Sequence, residues 1–448
     1  MLQEYTVFLN KSKSGLAYFV LIIILIKLLF FFVLKSYNPE AFISPDSISY
    51  TSRAAELVKH GEFTFHGTPD IFRVPGYPLL LTPFIMIFGE GNANYVVILQ
   101  VFLNLLTACI IYTIIILTNS HENNVKKKTA RLAFIIVLVD PVICIAEFSI
   151  LTEIYYTFAL VSGFFFLCKY IKFKKWYYIF ISGIILSMSA YIRPISVFLT
   201  YIIYLILFFY FAKNKDIRSV FFVIIILIIN YSIIEQWKIR NQQCYGVKIF
   251  STSASADLYH YIAAAVSARA ENNSYLKVQE KYEKDIVSDN PAIQARYNLK
   301  RGLEIVLRYP FTSAYIGIKG FLVNMFDPGT PILANRLKLR KRGSNLIYKF
   351  NDMDIFSFAR YLIKHEKYIV IFTAIGILWV FLFWFFVFRG ILVKHLGIIE
   401  IILLVIIVYF LCLASGPGSL ARYRVPVIPF MAIFAGYGMM NLAKYRFE

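Results

Sequence analysis

The stretch YYIFISGIILSMSAYIRPISVFLTYIIYLILFFYFA, from Tyr177 to Ala212, decides the fold class of this chain. A straight helix of this length would measure roughly 54 Å, whereas the hydrocarbon core of a bilayer is only about 30 Å thick. Near the middle, Arg193-Pro194 supplies a polar stop and a helix breaker. The stretch is therefore expected to cross a membrane twice, with Arg193 at the turn.

The composition of the whole chain agrees with a membrane location. Of its 448 residues, 59% are hydrophobic, whereas soluble domains are about 45–50% apolar. Long apolar runs recur along the chain, and we interpret Leu16–Leu34 as a retained first span rather than a signal peptide. The formal net charge of +20 comes from basic residues at span ends and in one long loop. That placement favours contact with anionic membrane lipids and predicts no nucleic-acid partner.

Basic clusters at the ends of the apolar runs predict the orientation. Lys and Arg in short loops mark the cytoplasmic side of a membrane, and six such clusters recur, from Lys11 and Lys13 to Lys444 and Arg446. Keeping all six on one side gives about ten spans with both termini cytoplasmic. We therefore predict an all-α polytopic membrane protein, a bundle of about ten transmembrane helices in the cytoplasmic membrane.

Two stretches between spans are too long for simple turns and are predicted as large extracytoplasmic loops. They divide the chain into an N-terminal transmembrane module at 1–236 with a first loop at 37–94, a mostly helical loop region at 237–366, and C-terminal transmembrane helices at 367–448. Pro78–Phe88 is apolar but too short to span, and is expected to lie in the membrane interface. Phe311–Phe326 is amphipathic; we expect a surface-lying helix, with a further span as the alternative.

The first loop carries a carboxylate just beyond the first span. Asp46 follows Pro45 at the start of Ser47–Lys59, which has helical spacing. At the mouth of a cavity between helices such a carboxylate suits a general base. Asp is also favoured as a helix N-cap, and both roles stay open.

Further along the same loop, Phe72–Pro78 reads FRVPGYP. Two prolines and a glycine predict a rigid turn that holds Arg73 and Tyr77 in fixed directions. The alternative for Arg73 is a simple anchor to lipid headgroups.

Three other turns on the outer side carry ionisable residues. Glu153 opens a span, where its alternative role is a carboxylate favoured by the helix dipole. Arg193 interrupts apolar sequence, a costly placement that favours a function. Arg422-Tyr423-Arg424 is a cationic turn on the side where few Lys or Arg are expected. A guanidinium binds a phosphodiester through paired, charge-assisted hydrogen bonds, although a snorkelling pair without a ligand is the alternative.

No pattern in the sequence predicts a metal centre or a cofactor. Asp352-Met353-Asp354 has the spacing that nucleotide-sugar enzymes use for a metal. Nucleotide sugars are cytosolic, however, and this motif is predicted outside, so we interpret it as the start of a helix. The six histidines lack ligand spacing. Use of a divalent metal stays open.

Taken in order, these motifs resemble one family. The segments that carry the resemblance are Pro45-Asp46-Ser47 with Tyr50, Arg73 to Pro78, Leu151-Thr152-Glu153, Arg193-Pro194, and Arg422 to Pro426. They are similar to the GT-C membrane glycosyltransferases, in the branch of the dolichyl-phosphate-mannose protein mannosyltransferases and the bacterial lipid A aminoarabinose transferase. The similarity covers nearly the whole chain, and the Pro-Gly-Tyr-Pro turn is its most specific part.

This resemblance implies transfer of a sugar from a polyprenyl-phosphate donor to a lipid, glycan or protein acceptor outside the cytoplasmic membrane. The transfer would proceed with inversion and without a nucleotide. Asp46 occupies the position of the family's first-loop catalytic acid. Several relatives carry Asp-Glu where this chain has Asp46-Ser47, which argues against a protein mannosyltransferase and against a divalent metal.

The residues fit that chemistry in specific roles. Asp46 is the candidate base for the acceptor hydroxyl, and preorganised cations would stabilise the charge that grows on the departing lipid phosphate. The candidate substrate-binding residues are Arg73, Tyr77, Glu153, Arg193, Arg422, Tyr423 and Arg424. Two rivals stay open: a flippase or transporter of lipid-linked sugars, although no internal repeat is seen, and a surface-polysaccharide polymerase or ligase.

Overall fold

The computed structural model describes residues 14–118, 123–339 and 346–444. Lys11, Lys13 and Arg446, which belong to the first and last basic clusters, lie outside the described residues. Within these ranges the regular structure is helical apart from one hairpin, in which β1 (Thr64–Phe65) pairs antiparallel with β2 (Thr68–Pro69).

The N-terminal part alternates long apolar helices with short polar connections. A 3-10 turn at Pro39–Phe42 separates the first two helices, and a second one at Glu90–Tyr95 follows the third. The helices are α1 (Ser14–Tyr37), α2 (Pro45–His60), α3 (Gly76–Phe88), α4 (Val96–Thr118), α5 (Asn123–Val139), α6 (Pro141–Glu147), α7 (Glu153–Phe173), α8 (Trp176–Ser189), α9 (Ser196–Lys213) and α10 (Ile217–Tyr245).

Shorter helices build the second loop region, and the chain then returns to long apolar ones. A π-helical turn at Asp257–Ala263 joins the first two short helices, and a 3-10 segment at Ala421–Val427 precedes the last long one. The helices are α11 (Ser253–Ala256), α12 (Ala264–Ala270), α13 (Tyr275–Glu283), α14 (Pro291–Arg308), α15 (Pro310–Phe326), α16 (Thr330–Arg336), α17 (Leu346–Asp352), α18 (Ile355–His365), α19 (Lys367–Val393), α20 (Ile398–Leu413) and α21 (Ile428–Lys444).

The stretch that decides the fold class breaks where the sequence predicts. Helix α8 ends at Ser189 and α9 begins at Ser196, with Arg193 and Pro194 in the turn between them. Pro194 has no backbone N–H to continue the α8 ladder. The Arg193 N–H instead donates to the Ser189 carbonyl at 3.0 Å, which closes the last turn of the preceding segment.

The lengths and apolar composition of the helices make this a multi-pass membrane protein. Six described helices can cross a bilayer: α1, the run from Glu90 to the end of α4, α7, α9, α10 and α19; α5 and α6 together form a seventh segment, bent by 47°. Helices α3, α8 and α20 are apolar but shorter. The count of about ten spans stays a prediction. Helix α15 is not among the described helices that meet these criteria.

A buried ion pair fastens α1 to the bundle. Lys27 Nζ lies 2.8 Å from Glu147 Oε2 and also donates to the Leu138 carbonyl at 2.8 Å. Gln100 Nε2 donates to the Glu147 carbonyl at 2.6 Å, which holds the end of α6 in place. Charges buried this deeply must be paired. The pair therefore fixes the helix that leads into the Asp46 segment.

Close helix packing fixes the C-terminal segment in the same way. A side chain on Gly390 of α19 would collide with the Phe434 carbonyl of α21, and one on Gly438 would collide with the Phe386 carbonyl. Small residues allow helix backbones to approach closely in membranes. This contact sets the position of α21, and with it the 3-10 segment that carries Arg422.

Candidate active site

Asp46 is not the cap of its helix. Ser44 occupies the N-cap position of α2, and its backbone N–H donates to Ser47 Oγ at 2.9 Å. Pro45 takes the first helical position, where its missing N–H costs nothing. The N-cap alternative for Asp46 is therefore wrong, and its carboxylate is free to face other elements. Ser47, the departure from the Asp-Glu pattern, belongs to the capping of α2.

The Asp46 carboxylate lies between two arginines from distant parts of the chain. Its Oδ1 accepts a hydrogen bond from Arg73 Nη2 at 2.8 Å, and its Oδ2 accepts one from Arg422 Nη2 at 2.7 Å. The Asp46 side chain is 34% exposed, against 16% for Arg422. The carboxylate is thus held at the mouth of the cluster, where a ligand can reach it.

Arg73 is held from several sides. Its Nε donates to Ser49 Oγ at 3.1 Å, and its Nη1 donates to the Tyr50 hydroxyl at 3.1 Å. The Asp70 carboxylate accepts from the Arg73 backbone N–H at 2.9 Å and from Arg53 Nε at 2.6 Å. The turn and α2 therefore orient Arg73 before any ligand binds, as the FRVPGYP motif predicts.

Gly76 brings this turn against the turn that contains Arg193. The Gly76 N–H donates to the Tyr191 carbonyl at 2.8 Å. A Cβ at this position would lie 2.5 Å from the Tyr191 carbonyl oxygen. Any residue other than glycine would therefore push the two turns apart.

Tyr77 lies beneath the cluster rather than in it. Its side chain is fully buried and packs edge-to-face against Tyr50 and Tyr155, with ring centroids 5.0 and 5.7 Å apart. Its hydroxyl is a buried group without a hydrogen-bond partner among the described residues. The geometry supports positioning of the neighbouring α2 and α7 more than direct contact with a ligand.

Glu153 and Arg193 form the second half of the cluster. Arg193 Nη1 lies 3.4 Å from Glu153 Oε1, and Arg422 Nε lies 3.9 Å from the same oxygen. Arg422 Nη2 also donates to the Tyr423 hydroxyl at 3.3 Å, and the Arg193 guanidinium lies 5.8 Å from the Tyr423 ring centroid. Arg193 Nη1 and Arg422 Nε are buried, yet neither has a hydrogen-bond acceptor within the described ranges.

The arginines dominate the electrostatics of Asp46. Burial alone would raise the pKa of this carboxyl, but Arg422 and Arg73 outweigh that effect and lower it to about 2. At neutral pH Asp46 is therefore ionised, and the group around it contains three guanidinium and two carboxylate side chains. The guanidinium groups offer paired N–H donors, which suit an anionic ligand.

Sequence reasoning missed a further carboxylate, Asp257. The segment before it is fastened to the Arg73 turn, because Ser251 Oγ donates to the Phe72 carbonyl at 2.7 Å and the Thr252 N–H donates to the Ile71 carbonyl at 3.0 Å. Desolvation by the surrounding protein raises the pKa of Asp257 to about 6, with Arg73 opposing that rise. Its side chain is solvent-exposed, and it lies near enough to Arg73, Asp46 and Arg422 for their charges to act on it. No proline, glycine or arginine beside Asp257 marks it in the sequence.

Arg424 does not join the cluster. Its side chain is buried, with Nη1 donating to the carbonyls of Asn324 and Met325 and Nη2 donating to that of Asp327 at 3.1 Å. A 3-10 helix turns once every three residues, so positions two apart face different directions. This guanidinium fastens the end of α15, and the substrate-binding role of Arg424 stays a prediction.

The Asp352–Asp354 motif starts a helix, as expected. Asp354 Oδ1 accepts from the backbone N–H groups of Phe356 and Ser357 at 2.9 and 3.0 Å, which caps α18. Across 14–118, 123–339 and 346–444, no three His, Cys, Asp or Glu side chains are grouped closely enough to hold a metal ion.

This chain is similar in structure to several proteins of known structure. No family model and no curated protein matches the sequence. Archaeal oligosaccharyltransferase AglB from Archaeoglobus fulgidus, in complex with an inhibitory peptide and a dolichol-phosphate, overlaps with a TM-score of 0.50 and 14% identity, over 96% of this chain and 51% of that one. The apo form of the A. fulgidus oligosaccharyltransferase gives 0.48 and 14%, with the same coverage. ArnT from Cupriavidus metallidurans in the apo state gives 0.42 and 12%, over 95% of this chain and 78% of that one.

The chain spans about half the length of the oligosaccharyltransferase that it matches. At 14% identity the overlap concerns the fold rather than the activity. The helical bundle, its rim of polar loops and the AglB overlap agree with the expectation from the motifs. This chain has the GT-C fold of membrane glycosyltransferases.

Proposed function

We propose that this protein is an integral-membrane glycosyltransferase that moves a sugar from a polyprenyl-phosphate donor to an acceptor outside the cytoplasmic membrane. The observation that carries the proposal is the contact of Asp46 with Arg73 and Arg422, beside the Glu153–Arg193 pair. The AglB structure that shares the fold contains dolichol-phosphate. A lipid phosphate is an anion that such guanidinium groups suit.

Arg193 and Arg422 would bind the donor phosphate. Each has a buried N–H group without an acceptor in the described part of the chain, Nη1 in Arg193 and Nε in Arg422. Leaving such groups unsatisfied is costly, and phosphate oxygens would satisfy both. The same contacts would strengthen as negative charge grows on the departing phosphate, which lowers the barrier.

Asp46 would act as the general base. The acceptor hydroxyl oxygen would form a bond to the anomeric carbon of the sugar while the bond from that carbon to the phosphate oxygen breaks. The hydroxyl proton would pass to Asp46, and the lipid phosphate would leave with the bonding electron pair. Attack from the face opposite the phosphate inverts the anomeric configuration.

Donor binding would also raise the basicity of Asp46. A carboxyl with a pKa of about 2 is a weak base near neutral pH. A phosphate that draws Arg422 and Arg73 away from the carboxylate would weaken the two ion pairs that hold this pKa low. The order of events is then donor first and proton transfer second.

The proposal includes a location for the site. We place the cluster on the outer face of the cytoplasmic membrane, with both termini inside and with 37–94 and 237–366 outside. A Cβ at Gly418 would meet no atom within 4 Å, and Gly418 lies near Arg422 in the chain, while Lys127 is exposed in a basic cluster. In a variant without the exposed Cys244 and Cys412, an impermeant thiol reagent added outside should label Gly418→Cys and not Lys127→Cys.

A purified-protein assay tests the function itself. The protein, reconstituted in vesicles with a radiolabelled polyprenyl-phosphate sugar and envelope lipid extract, should form a new glycoconjugate. Asp46→Asn should form none, while Asp289→Asn, a change at an exposed aspartate in the second loop, should match the parent. Movement of the lipid-linked sugar across the bilayer without transfer, equal in parent and Asp46→Asn, would identify a flippase instead.

A further inference from the structure

A polar cavity lies in the second loop region, apart from the Asp46 cluster. Its volume is about 430 Å³, and it lies between the end of α17 and the turn that joins α12 to α13. Ala268 is the one apolar residue among the seven that line it, and the others are Arg269, Asn272, Asn273, Ser274, Asn351 and Asp352. A cavity of this size is large enough for a small ligand.

Asn351, one of the residues that line the cavity, has an unsatisfied acceptor. Asn351 is 6% exposed, and its Nδ2 donates to the carbonyls of Ile347 at 2.9 Å and Pro417 at 3.0 Å. Its Oδ1 is buried and accepts no hydrogen bond from any described residue. A buried carbonyl oxygen without a donor carries a free-energy penalty, which a ligand hydroxyl would remove.

The rim of the cavity offers donors. Arg269 packs its guanidinium on the Tyr315 ring, 3.9 Å from the centroid, and this leaves N–H groups for a ligand. Asn272 has a left-handed backbone with φ of 53° and an exposed amide. Asp352 adds an acceptor, since only its Oδ1 is engaged, by the Tyr275 N–H at 2.7 Å.

The chemistry of this lining selects a class of ligand. One guanidinium and one carboxylate balance each other, so the cavity has no charge excess that would favour a phosphate. Its lining contains no aromatic ring on which a base could stack. The amides both donate and accept hydrogen bonds, the guanidinium donates and the carboxylate accepts, while a hydroxyl group can do both. A neutral molecule rich in hydroxyl groups satisfies this pattern.

We propose that the cavity binds a saccharide unit of the acceptor, which makes the acceptor a glycan or glycolipid. This assignment rests on the proposed transferase function. The cavity is joined to the catalytic cluster through Asn351, whose amide holds the Pro417 carbonyl in the turn that leads to Arg422. A saccharide bound here would keep the acceptor beside the loop that carries a phosphate-binding arginine.

Ligand-observed NMR on the full chain in detergent tests the proposal. The probes are glucose, galactose, mannose, N-acetylglucosamine and their disaccharides. We expect at least one to bind with millimolar affinity, and Asn272→Gly and Asp352→Asn each to weaken it about tenfold. Gln243→Ala, which removes an exposed amide elsewhere, should leave the binding unchanged. Asn272→Gly adds no backbone strain, because glycine adopts the left-handed conformation freely.

The outcomes separate this proposal from the proposed function. Saccharide binding should be unchanged in Asp46→Asn, so it can be present even if no transfer occurs. Absence of binding by every probe, or equal binding in the two cavity variants and the parent, overturns the proposal. Competition by the polyprenyl-phosphate sugar would assign the cavity to the donor and overturn the acceptor assignment. Binding of an asparagine-containing peptide, lost in the same variants, would overturn it in favour of a peptide acceptor.

Discussion

Gly76→Ala should strongly slow the proposed sugar transfer without unfolding the protein. Gly76 lies three residues after Arg73 and donates its N–H to the Tyr191 carbonyl at 2.8 Å. The new Cβ would lie 2.5 Å from that carbonyl oxygen and 3.1 Å from the Ile192 nitrogen. These are backbone atoms of the turn that contains Arg193, so neither can rotate away as a side chain would.

The size of the effect follows from how far the two turns must move apart to relieve the clash. Ordinary van der Waals contact begins at 3.4 Å, so the two turns must separate by roughly 1 Å. A misplacement of about 1 Å in a catalytic arrangement can cost about 100-fold in rate, which corresponds to about 2.7 kcal/mol in the barrier. Because Arg73 and Arg193 lie on the two separated turns, we expect kcat/KM for sugar transfer to fall by about that factor.

The transfer assay with the parent, Gly76→Ala and Gly91→Ala makes the comparison. Gly91 is in the same loop, and a Cβ there meets no atom within 4 Å, so its variant should match the parent. A thermal unfolding scan of each purified protein controls for folding. A folded Gly76→Ala protein with kcat/KM within about threefold of the parent would refute the claim that this turn sets the geometry of the cluster.

The remaining predictions concern charge. Lys27→Met leaves Glu147 buried without its cation, so the free energy of unfolding should fall by about 3–5 kcal/mol; an unchanged thermal midpoint would contradict the pairing. Arg422→Met should weaken donor binding, whereas Arg424→Met should lower thermal stability and leave donor affinity unchanged, because Arg424 contacts backbone carbonyls away from the cluster. An equal loss of donor affinity in the two variants would show that Arg422 and Arg424 do not have the separate roles assigned to them. Protonation of Asp257 as the pH falls through about 6 removes a negative charge near the cluster, while the donor phosphodiester stays ionised. Donor affinity should therefore rise as the pH falls through about 6, and it should be independent of pH in Asp257→Asn. If this variant has the same pH profile as the parent, Asp257 does not lie near the cluster.

The sequence predicts those parts of the fold that follow from local rules. Tyr177–Ala212 is too long for one crossing, and Pro194 cannot continue a helix, so the break between α8 and α9 was predictable. The GT-C fold was expected from the resemblance of the ordered motifs to that family. The side of the membrane on which each turn lies stays a prediction, because orientation depends on the bilayer as well as on the chain.

The directions of side chains in irregular segments were harder to predict from the sequence. Asp46 had two plausible roles, and the position of Ser44 as the N-cap excludes one of them, the capping role. Arg422 and Arg424 look equivalent in sequence, yet the 3-10 turn points them in different directions. Asp257 reaches the cluster because Ser251 and Thr252 bond to the distant Arg73 turn, a long-range contact that no local pattern encodes.

The most direct test measures what Asp46 contributes to transfer at saturating donor. Single-turnover kinetics with a polyprenyl-phosphate sugar should show that Asp46→Asn lowers the rate of sugar transfer by about 100-fold or more. Donor affinity in this variant should be at least that of the parent, because Arg73 and Arg422 lose their carboxylate partner. A transfer rate near that of the parent would contradict the assignment of Asp46 as the base.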